Sequence, residues 1–133
     1  MSKTLKIFAP SFIWALFIAF LCGLPGKDIP HISFLELLSF DKFVHAGVFF
    51  VLIFLLIRGA VLQTRFTFLS QYSFLISGSL CVLYGGVLEL MQEAVFEERS
   101  ADLYDFIANS FGVLVGMVCY NKIEQKILIK FIK

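Results

Sequence analysis

Four long apolar runs, separated by short polar stretches, organise this chain. Ile7 to Leu24 contains no charged residue. As a helix it rises about 27 Å, close to the roughly 30 Å hydrocarbon thickness of a bilayer. Three further runs of similar character predict helices over about 42–62, 71–92 and 103–120. Gly23, Pro25, Gly26 and Pro30 end the first helix. After them Ser33 to Phe40 predicts a short amphipathic helix, with Ser33 and Glu36 spaced as a capping box. It would bury Phe34, Leu37 and Leu38, either on the membrane surface or folded back against the bundle. Asp102 is positioned to cap the fourth helix, and Asp105 in its first turn suits the helix dipole. The tail, 121–133, reads differently. Lys122, Lys126, Lys130 and Lys133 share one side and Ile123, Ile127, Leu128, Phe131 and Ile132 fall mostly on the other. That pattern predicts a basic amphipathic helix lying on an anionic leaflet.

The expected fold is therefore all-α: one integral membrane four-helix bundle, a single domain over 1–133. Composition strengthens this reading. The chain is 59% hydrophobic and only 16% charged, where a soluble domain is about half apolar and a quarter charged. The first run exceeds the roughly 7–15 residues of a signal-peptide core, and bulky Leu21 fits a cleavage site poorly, so it reads as a retained span. Cys22, Cys81 and Cys119 sit singly inside apolar runs and read as small hydrophobes.

Charge sets the expected orientation. Of 11 bases, Lys3, Lys6, Arg58, Arg65 and the four tail lysines fall on one side of a four-span chain. Only Lys27, Lys42 and Arg99 fall on the other. The positive-inside rule then puts both termini in the cytoplasm. Of the acids, only Glu124 accompanies the lysine-rich side.

Polar residues cluster at the opposite ends of the helices. Asp41, Lys42 and His45 open the second span, with Asp41 and His45 four apart on one face. Glu89 and Gln92 close the third. Arg99, Asp102, Asp105 and Asn109 precede and open the fourth, and Gly112 and Gly116 continue the Asp105–Asn109 stripe, leaving room for a neighbouring helix. Alternating topology puts all three sets at one membrane depth, and ionisable groups there usually face the bundle interior and pair.

These pieces resemble the VanZ-like family of small bacterial membrane proteins: Asp41-Lys42-x-x-His45, Glu89-x-x-Gln92, then Arg99-Ser100-x-Asp102-x-x-Asp105-x-x-x-Asn109-x-x-Gly112-x-x-x-Gly116. The resemblance covers about residues 10–120. Glu97-Glu98 before Arg99 departs from the turn that many relatives carry there. The resemblance implies a multi-pass protein of the bacterial cytoplasmic membrane, in a family named for a protein associated with teicoplanin resistance.

Three activities fit the polar set. A binder of lipids, lipid-linked envelope precursors or lipoglycopeptides would use Arg99 and Lys42 for phosphate or carboxylate. Glu89, Gln92, Asp105 and Asn109 would then hydrogen-bond sugar or peptide groups, with Asp41, His45 and Asp102 completing the binding site. A membrane-boundary enzyme would use His45 as base, oriented by Asp41, with Glu89 as acid or second base; a metal version would use His45 with Asp41, Glu89 or Asp105 as ligands. A transporter would need polar groups deeper in the spans, which are nearly all apolar. A fourth reading makes the charges a purely structural network. No cofactor, resident metal or nucleic-acid partner is expected, and homo-oligomerisation stays open.

Overall fold

A computed structural model describes residues 3–24, 34–95 and 101–132. All regular structure among them is helical: α1 (Lys3–Cys22), α2 (Phe34–Leu62), α3 (Thr67–Gln71), α4 (Ser73–Ala94) and α5 (Leu103–Ile132). α1, α2, α4 and α5 are each long and apolar enough to cross a bilayer. Their outward faces are strongly apolar: Phe43 is 80% exposed and Val118 76%. Water would not tolerate a surface this continuous, so lipid is its solvent and the chain is a multi-pass membrane protein.

α2 packs against every other helix and most extensively against α5. Glycine makes that contact close. A Cβ on Gly112 would collide with the Ala46 carbonyl, and one on Gly116 with the Ile53 side chain. Two backbones therefore approach where any side chain would hold them apart. Phe49, Ile53 and Ile57 of α2 are fully buried, with Ile18 of α1, Cys81 of α4 and Val113 of α5 around them.

Side-chain hydrogen bonds tie α1 to α2 and α4 to α1. The Trp14 indole Nε1–H donates to the Val48 carbonyl at 2.9 Å. The Tyr84 hydroxyl donates to the Ala15 carbonyl at 2.6 Å, and the Gln92 amide to the Cys22 carbonyl at 3.2 Å. Bonds to main-chain carbonyls suit an apolar setting, because the side-chain donors would otherwise go unpaired there. Towards the other end, α1 and α4 leave between them an apolar cavity of about 430 Å³, floored by Leu56 and Ala60 and with Arg65 at its wall.

The α2–α4 link is knotted by Gln63. Its Nε2 donates to the carbonyls of Ala60 at 3.1 Å and Phe66 at 2.7 Å. Its Oε1 accepts the Phe66 N–H at 2.8 Å. One amide thus closes α2 and shapes the entry to α3. Tyr72, with φ −108° and ψ 27°, separates α3 from α4, so the third span starts at Ser73 and not at 71.

Two sequence expectations are corrected. The expected short helix over 33–40 is not a separate element: from Phe34 it runs without a break into the second span. Asp41 and Lys42 interrupt the hydropathy, but neither is a helix breaker, and no glycine or proline precedes Gly47 in that helix. The expected surface-lying tail is likewise part of α5, a single helix of 30 residues. No glycine or proline follows Gly116 to end it. Glu124 anchors the extension laterally, accepting from Arg58 Nε of α2 at 3.3 Å.

Candidate functional site

α2 begins, α4 ends and α5 begins at one end of the bundle, and the side chains there meet. Asp102 caps α5: its Oδ1 accepts the Tyr104 N–H at 2.8 Å and its carbonyl accepts the N–H groups of Asp105 and Phe106. The cap fixes where the first turn starts and hence where Asp105 and Asn109 point. Glu89 holds that cap from α4, its Oε2 accepting the Asp102 N–H at 3.2 Å.

Lys42 of α2 reaches across to α5. Its Nζ lies 3.4 Å from Asp105 Oδ1 and 3.5 Å from Asp102 Oδ2. The Tyr104 ring lies 5.7 Å from the ammonium, within cation–π range. His45, one turn further in, is buried. Its Nδ1 is 3.0 Å from Asn109 Oδ1. An amide oxygen only accepts, so Nδ1 carries the proton and donates. The other nitrogen, Nε2, stands 3.8 Å from both Asp41 Oδ1 and Asp105 Oδ2. Those separations are too long for hydrogen bonds. Asn109 in turn has room because residue 85 of α4 is glycine: an added Cβ would lie 3.4 Å from its Nδ2 and 3.3 Å from Phe49.

Asp105 is thus the hub, one oxygen on Lys42 and the other towards His45. Burial grades the site. His45, Glu89, Asp105 and Asn109 are buried, whereas the Asp41 side chain is 45% exposed and that of Asp102 35%. The mouth lies on the Asp41–Asp102 side. Four carboxylates (Asp41, Glu89, Asp102, Asp105) face one ammonium among the described residues, an acidic balance.

Of the residues singled out in the sequence, Asp41, Lys42, His45, Glu89, Asp102, Asp105 and Asn109 form this one cluster. The Gln92 amide is engaged with α1 instead. Arg99 lies outside the described residues. Gly112 and Gly116 sit below the cluster, at the α2–α5 contact. Tyr104, over Lys42, was not singled out; an exposed aromatic beside an N-cap carries no distinguishing pattern. Comparison with known proteins returns no match: no family model, curated protein or solved structure is similar enough to indicate a relationship.

Proposed function

We propose that this cluster recognises the polar head group of an amphiphile presented from the outer leaflet of a bacterial cytoplasmic membrane. The candidates are a phospholipid, a lipid-linked cell-envelope precursor or a lipoglycopeptide such as teicoplanin. The observation that carries this reading is a buried polar set, drawn from α2, α4 and α5, at the end of a bundle whose long helices are apolar along their spans. A ligand meeting it has a hydrophilic end at the mouth and an apolar remainder along the helices. Orientation is supported by charge: Lys3, Lys6, Arg65 and the tail lysines belong to the opposite end, so the cluster faces outward. Membership of the VanZ-like family is part of the same proposal and rests on the three motif pieces. In this reading Asp41 and Asp102, at the mouth, accept hydrogen bonds from hydroxyl or ammonium groups. Lys42 and Arg99 hold a phosphate or carboxylate.

Native mass spectrometry with membrane lipids and lipid-linked precursors tests it. Wild type should retain one head-group class. Glu89→Gln and Arg99→Ala should each lower retention at least about tenfold, the worth of a lost charge-assisted hydrogen bond. Equal, unselective retention by all three proteins would leave the cluster as a structural charge network. His45, with Nδ1 on Asn109 and Nε2 turned towards two carboxylates, also suits a general base. A retained ligand that returns with its head group cleaved would make the site catalytic.

A further inference from the structure

We propose that Asp41, His45 and Asp105 form a binding site for one divalent metal ion, of the Zn2+ or Mn2+ class. The donor atoms are Asp41 Oδ1, His45 Nε2 and Asp105 Oδ2. One donor atom from each residue lies within 4.8 Å of those of the other two, and both nitrogen–oxygen edges measure 3.8 Å. An ion with bonds of about 2.0–2.2 Å in tetrahedral array separates its ligands by about 3.3–3.6 Å. The triangle is therefore an expanded version of that array, and the half-exposed Asp41 side chain is free to close it.

Three features of the surroundings suit an ion better than a set of hydrogen bonds. The Nδ1–H of His45 is committed to Asn109, which holds the ring with Nε2 turned towards the carboxylates. Ligating histidines are held in this way. Asp105 spends Oδ1 on Lys42, while its Oδ2 stands 3.8 Å from His45 Nε2 and makes no hydrogen bond among the described residues. Finally, among the described residues one ammonium faces four carboxylates, and a dication between Asp41 and Asp105 would offset part of that negative charge. The imidazole in this set favours Zn2+, and the two carboxylates also admit Mn2+, whereas Ca2+ and Mg2+ prefer all-oxygen sites.

Three protein ligands leave a fourth position, on the exposed Asp41 side. A head-group phosphate oxygen or a water would fill it. The role of the ion as an anchor for phosphate rests on the head-group reading above; the site itself rests on the donor geometry.

The test is a Mn2+ titration of chelator-stripped full-length protein in phosphatidylcholine nanodiscs, with free ion read by electron paramagnetic resonance. Wild type should bind one ion per chain. Asp41→Asn, at a half-exposed position that the fold tolerates, should weaken binding at least about tenfold. Asn109→Ala, which only frees the imidazole, should weaken it about 10–100-fold. No saturable uptake by wild type would overturn the proposal, and so would one affinity shared by all three proteins. Repeating the lipid-retention experiment with and without chelator separates the two ideas. Metal uptake without head-group selectivity would leave the metal site standing and sink the recognition reading. Chelator-insensitive selectivity together with no uptake would do the reverse.

Discussion

Gly112→Ala should weaken the fold by about 3 kcal/mol or more, measured as unfolding in mild detergent with increasing dodecyl sulfate. The added methyl would meet three atoms of the Ala46 backbone: its carbonyl oxygen, its carbonyl carbon at 2.8 Å and its Cα at 2.9 Å. Overpacking costs about 1–3 kcal/mol where side chains can adjust. Here no rotamer offers relief, because the obstruction is main chain, so α2 and α5 must separate along their whole contact. The control lies on the same pair of helices. A Cβ on Gly47 meets nothing within 4 Å, so Gly47→Ala should stay within about 0.5 kcal/mol of wild type. Wild-type stability in Gly112→Ala would mean that the α2–α5 approach is not as close as described.

Asp105→Asn should cost about 2–3 kcal/mol in the same assay, and far less once Lys42 is replaced as well. Removing one partner of a buried pair costs about 3–5 kcal/mol, because the other charge is stranded. Lys42 is 24% exposed and keeps Asp102 at 3.5 Å, which reduces the penalty. Lys42→Met removes the stranded ammonium and supplies apolar volume. The double variant should therefore recover about 1–2 kcal/mol relative to the sum of the singles. Strict additivity would show that Lys42 and Asp105 do not interact through their charges.

Both predictions concern contacts that hydropathy only partly reveals. The four spans were legible because eighteen or so apolar residues in a row have few alternatives to a membrane helix. Asp41 with His45, and Asp105 with Asn109, were legible as shared faces from their four-residue spacing. Alternating spans were enough to bring them to one depth. Which atoms meet was not legible: that Asp105 divides its oxygens between Lys42 and His45 depends on the azimuth of α5, set by Gly112 and Gly116 against Ala46, Phe50 and Ile53. Helix ends were misjudged where charge was taken for a boundary. Asp41-Lys42 and the lysine-rich tail change polarity without changing backbone preference, so α2 starts earlier and α5 ends later than hydropathy suggests. The Arg58–Glu124 pair went unseen for a related reason, since one acid among tail lysines looks like part of a solvated face.

The sequence separations across the α2–α5 contact also have a consequence for biosynthesis. Lys42 and Asp105 are 63 positions apart, and His45 and Asn109 are 64 apart. At about 5–20 residues per second, a ribosome needs roughly 3–13 s to make one partner after the other. For that interval the nascent chain carries a lysine, a histidine and an uncovered Ala46 groove on the face of α2 that α5 will cover. The last span to emerge is the one that seals the molecule. A chain cut after Val95 should therefore be cleared by membrane proteases faster than the full-length protein in a pulse-chase. Equal half-lives would show that α2 finds interim cover, from lipid or from a chaperone, until its partner arrives.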